Sequence, residues 1–485
     1  MSMKMSLKKV FELFVFLYAF FLASRPLSDG DFWWHLKTGE YILRNRAIPR
    51  VDFYSFTNAG KPWVAHEWLS EVIFYQVYSH LGFNALIFIF GVLGALAFWI
   101  VYRRCHAHPY IGLVASLLGM ASILTTVGVR PRTFTLLFAS IYLLVLTRYA
   151  REGKRGGLWW LIPLMAFWVN LHAGFLIGLV LIAVTLVGIP LDSLAQGERL
   201  RSEWPRMKNL LLLLVGCTLA VNLNPQGPRI FLFPFEFFLS PIQQNTVHDW
   251  LSPNFHDPEM VPVAVLILLT TAVMALSPKR VRPSELLLFL STLYATLKSN
   301  RHVAIFALVA APLLANYLQI WIESVRLQKH FDMKRAETPT RLGLLFALVL
   351  LVPVVALAAK LKSEVYGQFT QRQLTVPLDA VRAMSEKGIT GNTFTDPNIW
   401  GGYFIWAMPT NPVYIDGRID MYGDEFVNDY IKLVSGLVDC EPIFDRYGVR
   451  VAVLSQNSVI KLELQRSNQW RKSFEDDMAV VFVRQ

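Results

Sequence analysis

Cysteine, charge and interruption of the apolar runs are all scarce in this chain of 485 residues. The only cysteines are Cys105, Cys217 and Cys440. Their spacing matches neither a metal knuckle nor a redox pair, and an odd Cys440 in the tail speaks against a disulfide framework. Charged residues make up 17% of the chain and hydrophobic ones 54%, which excludes the roughly three soluble domains that its length would otherwise suggest. The net charge of +11 forms no continuous basic stripe, so nucleic acid is not the partner it serves. No clear internal repeat is present, and the polar motifs gather at span ends. A transporter would place them near mid-membrane, often in broken, repeated spans.

Apolar runs long enough to cross a hydrocarbon core, about 17 to 25 residues each, recur from residue 9 to residue 360 and predict about eleven spans. They centre on 9–24, 84–102, 110–127, 133–149, 158–170, 173–191, 209–222, 260–277, 284–298, 303–322 and 342–360, with 158–170 and 284–298 short. Lys4, Lys8 and Lys9 precede the first run and place the N-terminus in the cytoplasm by the positive-inside rule. Every second connection repeats the signal, at Arg103–Arg104, Arg148–Arg155, Arg199–Lys208, Lys279–Arg282 and Arg326–Arg335. The first run lacks a small-residue cleavage site and leads directly into Arg25-Pro26, which predicts a retained helix.

The other face collects the unusual polar motifs: "SDGDFWWHLK", "GVRPR", "NLHAG", "NLNPQGPR" and "KSNRH". Polar groups beside spans are costly unless they line a wet cavity, so one outward-facing site explains the asymmetry. Residues 361–485 fall on the same side by span parity and predict a small extracytoplasmic α/β domain. Strand-like runs "GNTFTD", "NPVYIDG", "VRVAVLS" and "MAVVFVRQ" alternate there with helix-like segments 377–387, 424–436 and 441–447. Among its first strands, in "DPNIWGGYFIWAMPTNPVYIDGRIDMYGDE", Gly401-Gly402, several aromatics, Asp416, Arg418 and Asp420 crowd together.

The run Asp29-Gly30-Asp31-Phe32-Trp33-Trp34-His35-Leu36-Lys37, followed by "YILRNRAIPRVDFYS", resembles the first external loop of GT-C class membrane glycosyltransferases. The likeness is to oligosaccharyltransferase catalytic subunits in particular, where an acidic-x-Asp precedes aromatics, Asn or His, and a basic residue. The segment "IWGGYFIWAMPTNPVYIDGR" is similar to their external aromatic-Gly-Tyr segment, with Gly401-Gly402 where the peptide-binding version carries Trp-Asp. "GVRPRT" supplies no second acidic pair. The layout also looks like bacterial membrane proteins loosely grouped with these transferases.

The resemblance implies a polytopic α-helical membrane protein of GT-C type. Residues 1–360 form its transmembrane part, with a catalytic loop at 25–67, and residues 361–485 its external domain. It implies transfer of a sugar, with inversion, from a polyprenyl-phosphate-linked donor to an extracytoplasmic glycan, lipid or protein, in a bacterial plasma membrane. Asp31 matches the family's catalytic, metal-associated aspartate, and Asp29 stands beside it for Mg²⁺ or Mn²⁺. Chemistry allows Asp31 two roles, as an oxygen ligand of a hard cation or as the general base for an acceptor hydroxyl. His35, one helical turn on, can assist either. Arg130, Arg132, Arg229, Arg301 and His302 are candidates for the donor phosphate, because guanidinium matches phosphate oxygens in two-point geometry. Trp400, Tyr403, Asp416 and Arg418 are candidates for the acceptor.

Plainer readings compete. Trp33 and Trp34 suit interfacial anchors, Asp29 a helix cap, and His66-Glu67 in "WVAHEW" a helix start. His172 suits a hydrogen-bonded structural role, and Asp416 with Arg418 an internal ion pair. A metal-independent surface-glycan ligase or polymerase would use external Arg and His without Asp31. A transporter or an envelope assembly factor would need no catalytic carboxylate at all.

The alternating basic connections make a prediction about topology. A reporter fused after residue 155 or 282 reads as cytoplasmic, and one fused after residue 370 as translocated, in paired phosphatase and fluorescence fusions. A cytoplasmic reading after residue 370 would contradict the assignment of the tail.

Overall fold

The computed structural model describes residues 7–27, 29–124, 126–325 and 375–485. In chain order the first helices are α1 (Leu7–Ala23), α2 (Phe32–Asn45), α3 (Trp68–Arg104), α4 (Pro109–Ala121), α5 (Arg132–Glu152), α6 (Leu161–Leu171), α7 (Phe175–Ala195) and α8 (Leu200–Val221). There follow α9 (Phe233–Leu239), α10 (Pro241–Thr246), α11 (Val261–Leu276), α12 (Pro283–Lys298) and α13 (Val303–Ser324). Each expected span centre up to residue 322 coincides with a helix. Six helical stretches among the described residues are long and apolar enough to cross a membrane: Trp68–Arg104, Arg132–Glu152, Phe175–Ala195, Leu200–Val221, Pro258–Leu276 and Asn300–Ser324. The α1, α4 and α12 helices and the stretch Leu158–Leu171 are shorter, and the expected span at 342–360 lies outside the described residues. The protein is an integral membrane protein.

The α3 helix is far longer than its expected span because residues upstream of 84 are helical too. At Gly82 the backbone leaves helical geometry (φ 77°, ψ −179°), which joins two helices across a kink. Only glycine adopts that φ without strain. The kink falls close to a domain division. One compact unit contains residues 7–25, 87–230 and 248–325, and a second contains 26–86, 231–247 and 375–485. The boundary expected at 360/361 falls among residues outside those described.

In unit one, α13 is the buried centre. Its residues from Val303 to Ala315 are buried almost without break, and it packs against α4, α11 and α12. A helix apolar all round belongs in such a position. By contrast α7 and α8 leave Val180, Val187, Leu194, Leu212 and Leu219 exposed, a surface suited to hydrocarbon. Between α5 and α6 the polar groups satisfy one another. Trp168 Nε1 donates to Thr135 Oγ1 at 2.8 Å, and Thr135 Oγ1 lies 2.8 Å from His172 Nδ1, which gives His172 its structural role.

Unit two is α/β. It adds α14 (Leu378–Glu386), β1 (Thr393–Asp396), α15 (Trp400–Ala407), α16 (Asp424–Val434), α17 (Cys440–Tyr447), β2 (Val451–Ser455), α18 (Val459–Arg466), β3 (Trp470–Glu475) and β4 (Ala479–Arg484). The sheet order is β1-β2-β4-β3, with β1/β2 parallel and the other pairs antiparallel. The central β2 and β4 read as near-continuous apolar runs because both their faces are covered. Edge strand β3 presents Arg471 and Lys472 to solvent, which discourages further strand pairing.

Three expectations for this region change. "NPVYIDG" makes only single bridges, Val413 pairing with Thr393 of β1 and with Ser55. Pro412 cannot donate to a ladder, so the run cannot continue as a regular strand. "WGGYFIWA", expected to connect two strands, is the helix α15. The strand β3 is an addition to the expected set, since its charged centre breaks the apolar pattern. The bridge to Ser55 has a larger consequence: residues 54–57 lie along the same sheet edge, with Thr57 Oγ1 donating to the Tyr414 carbonyl at 2.6 Å, Phe56 N–H to Val413 and Val413 N–H to Tyr54. The segment after the first apolar run therefore folds into the α/β unit.

The second contact is at Gly402 in α15. A Cβ there would stand 2.4 Å from the Gly30 carbonyl oxygen, a backbone atom that cannot turn aside. We predict that Gly402→Ala destabilises unit two by about 1 to 3 kcal/mol, the usual cost of overpacking a tight contact. Thermal unfolding of the purified protein measures it. A change of less than about 0.5 kcal/mol would show that the Gly30 loop yields freely.

Candidate functional site

Four segments of unit two bring their ionisable groups together: the 29–37 turn and helix, the 50–58 loop, the start of α3, and the 414–424 loop. Asp31 occupies the N-cap position of α2 but its side chain does not cap the helix. Its Oδ1 instead accepts the indole N–H of Trp34 at 3.1 Å, and Asp29 Oδ1 accepts the Asp31 N–H at 3.2 Å. Asp29 thus serves the turn, as its capping reading expects. Asp31 packs so closely on the 416–418 turn that a Cβ at Gly417 would stand 1.7 Å from Asp31 Oδ1. Only glycine at 417 leaves room for that carboxylate.

One turn into α2, His35 is buried with both ring nitrogens facing carboxylates. Nδ1 lies 3.3 Å from Glu71 Oε1 and Nε2 3.5 Å from Glu67 Oε2. Burial alone would lower its pKa from the ordinary 6.5, but the hydrogen bond to Glu71 and the charges of Glu67, Glu71 and Asp31 outweigh that and raise it. An imidazolium is the form that donates to both neighbours. His66 Nε2 sits 3.4 Å from Glu67 Oε1, and its ring stacks on Phe233 at 4.3 Å between centroids. Its pKa is likewise raised against burial, by Glu67 first and then by Asp420. Burial in turn pushes the Asp420 carboxyl upward.

Beside this acid-base cluster stands a buried ion pair. Arg418 Nε and Nη2 donate to the two oxygens of Asp416 at 2.8 and 2.6 Å. The Tyr422 hydroxyl donates to Asp416 Oδ2 at 2.8 Å. Arg418 Nη1 lies 2.9 Å from Asp52 Oδ1, at an angle that makes this an ion pair without a proper hydrogen bond. The guanidinium also lies over the rings of Trp63 (4.5 Å), Tyr54 (5.0 Å) and Trp34 (6.0 Å). Asp52 itself organises its turn by accepting the N–H groups of Tyr54 and Ser55.

The expected site residues therefore divide. Asp31, Asp29, His35, Trp400, Tyr403, Asp416 and Arg418 all belong to unit two. Asp416 and Arg418 are buried and paired with each other, which is their internal ion-pair reading. Trp400 is buried with its Nε1 on the Thr375 carbonyl, and Tyr403 meets the Trp33 ring edge to face at 4.9 Å. Trp33 is thus a packing residue of unit two, which replaces its reading as an anchor at the membrane boundary. Arg130, Arg132, Arg229, Arg301 and His302 belong to unit one. There Arg132 is ion-paired with Asp249 at 2.9 Å and Arg301 lies 4.1 Å over the Trp250 ring. Asn300 N–H donates to the Leu251 carbonyl, so the 249–251 and 299–302 segments are joined. Arg229 is exposed and His302 half-buried.

Sequence reasoning missed Glu71 and Asp52. Glu71 follows Glu67 by four residues, the spacing that puts two side chains on one helix face. That signal was present. Asp52 in "RVDFYS" carries no comparable signature. Among the described residues no three His, Cys, Asp or Glu side chains converge to hold a metal ion. Asp29 Oδ1 and Asp31 Oδ1, the pair expected at a divalent cation, each accept a hydrogen bond inside the turn, from the Asp31 N–H and the Trp34 indole.

The buried cation generates a prediction. Arg418→Met leaves the Asp416 and Asp52 carboxylates buried without their counter-charge, a change that costs about 3 to 5 kcal/mol. Arg418→Lys restores charge but not the two-point geometry, so it recovers stability only in part. Chemical unfolding of the three proteins checks the order. Equal stability of Arg418→Met and wild type would refute it.

No family model matches the chain, and no curated protein matches it. Among solved structures it is similar to the Archaeoglobus fulgidus oligosaccharyltransferase in the apo form. The TM-score is 0.53 and the identity 13%, over 92% of this chain and 69% of that one. It is similar also to the archaeal oligosaccharyltransferase AglB from the same organism in complex with an inhibitory peptide and a dolichol-phosphate (TM-score 0.53, 14% identity, 92% and 70% covered). ArnT from Cupriavidus metallidurans bound to undecaprenyl phosphate superposes more loosely, at a TM-score of 0.47 with 14% identity over 98% and 97% of the two chains. The first two show the fold alone, which is GT-C-like.

Proposed function

We propose that the protein is a membrane glycosyltransferase that moves a sugar from a polyprenyl-phosphate-linked donor to an extracytoplasmic acceptor, with Asp31 as the general base. The observation that carries this reading is the placement of Asp31. Its carboxylate is oriented by the Trp34 indole, seated on Gly417, and backed by the His35–Glu67–Glu71 cluster. In a GT-C-like fold, support of this kind fixes the direction of the carboxylate as catalysis requires.

The step proceeds by inversion. The acceptor oxygen forms a bond to the anomeric carbon while the bond from that carbon to the donor phosphate oxygen breaks, and the phosphate leaves with the electron pair. Asp31 takes the acceptor proton. His35 is a positioning residue whose charge is balanced by Glu67 and Glu71. As an independent proposal, Arg130, Arg132, Arg229, Arg301 and His302 of unit one serve the donor phosphate. Trp400, Tyr403, Asp416 and Arg418 act on the acceptor indirectly, by holding the walls of unit two.

The experiment is transfer from labelled polyprenyl-linked sugars by the purified full-length protein. Asp31→Asn keeps size but removes the proton-accepting charge, so transfer falls by about a hundredfold or more while donor binding persists. Asp29→Asn, which preserves an acceptor for the Asp31 N–H, loses far less. A chelator arm decides the cation question: activity abolished by chelation and restored by Mn²⁺ or Mg²⁺ assigns Asp31 to a metal, and chelator-resistant activity assigns it to the base alone. Full activity in Asp31→Asn would remove the reading.

A further inference from the structure

We propose that unit one carries a binding cleft for the phosphate headgroup of an anionic membrane phospholipid, between α5, α7 and α12 at the C-terminal end of α5. The cleft is small, about 40 Å³, and open to its surroundings. Arg132, a candidate for donor phosphate, opens α5 and Arg151 nearly closes it. At 1.5 Å rise per residue the two are about 28 Å apart along the helix axis, so they belong to opposite membrane boundaries. This cleft is therefore separate from the donor-phosphate candidates of unit one.

Its lining changes along its length as a phospholipid does. Arg151 in the last turn of α5 and Arg282 at the N-cap of α12 stand at the helix ends, while Leu146, Val184 and Leu288 lead toward mid-helix. One acidic group, Glu285, lines it and a second, Asp192, stands beside it, and both are already engaged. Glu285 is ion-paired with Arg151 and accepts the Tyr317 hydroxyl at 2.6 Å. Asp192 accepts the N–H and hydroxyl of Ser284 at 2.8 and 2.7 Å. Arg282 is different. It is half-buried, and its guanidinium has no ionic or hydrogen-bond partner among the described residues. Arg104 lies near enough to Arg151 and Glu285 to interact with both, adding positive charge behind the cleft. A half-buried guanidinium between apolar walls at a membrane boundary gains most from a lipid phosphate, and basic pockets between spans recognise such headgroups.

The test uses the purified full-length protein in detergent, with phosphatidylglycerol, phosphatidylcholine and soluble glycerol 3-phosphate added in parallel to thermal-unfolding and native mass spectrometry measurements. Phosphatidylglycerol raises the Tm and stays bound, the effect shrinks with salt, and the other two do neither. In Arg282→Gln the affinity for phosphatidylglycerol falls about fivefold, the loss of one basic contact at a membrane surface. Val184→Trp, which fills the apolar part, weakens it as well. If that variant fails to fold, Arg282→Gln decides alone, because Arg282 holds no internal partner among the described residues. Undiminished phosphatidylglycerol binding in Arg282→Gln, or an equal response to phosphatidylcholine, overturns the proposal. An equal response to glycerol 3-phosphate overturns the lipid as its source.

Discussion

Unit two is organised around the buried guanidinium of Arg418. Arg418 neutralises Asp416, two residues away, and Asp52, far earlier in the chain, while three aromatic rings exclude water around it. A buried ion pair of this kind contributes little net stability over a well-packed apolar core, because desolvating the charges offsets their attraction. Its effect is on specificity. With Asp52 and Asp416 both charged and both buried, the 50–58 loop and the 414–424 loop have one arrangement in which neither carboxylate is stranded. The close seats of Gly30 and Asp31 on Gly402 and Gly417 then follow from that arrangement.

The acid-base cluster obeys the same rule with less complete satisfaction. His35 supplies one positive charge to Glu67 and Glu71, and Glu71 Oε2 is buried without a hydrogen-bond partner among the described residues. A native structure tolerates such a group where function requires it or where something further binds. His66 and Asp420 extend the network toward the 414–424 loop, so its charge state is shared between the first segment and the last. Two imidazoles raised toward protonation offset part of the charge of these carboxylates. This is the condition for burying so many ionisable groups together.

Much of this was legible in advance, for reasons particular to each element. The spans could be read because hydrocarbon demands long apolar runs, and α16 and α17 because their apolar residues recur at helical spacing. Asp31 and the "IDGR" turn could be singled out because charge beside an apolar run is costly and needs a reason. What could not be read was their joining. No local pattern says that Asp52 meets Arg418, or that Val413 bridges Ser55 and Thr393 at once, because such contacts are set by tertiary packing. The α15 helix was hidden by its paired glycines, which local propensity reads as a turn and which close packing requires.

The sequence separation of these contacts constrains how the unit is made. Thr57 and Tyr414 are 357 residues apart, and Asn58 and Met421 363 apart. Bringing such distant segments together costs chain entropy before any contact offsets it. The Asp52–Arg418 pair therefore forms only after residues 375–485 have been synthesised. Until then the Asp52 carboxylate lacks its buried counter-charge, and a carboxylate in that condition is stable in water and not in a dry interior. The contacts of residues 54–58 with 413–421 close on the same segment as that pair, so the charge match and the sheet-edge match select one arrangement together.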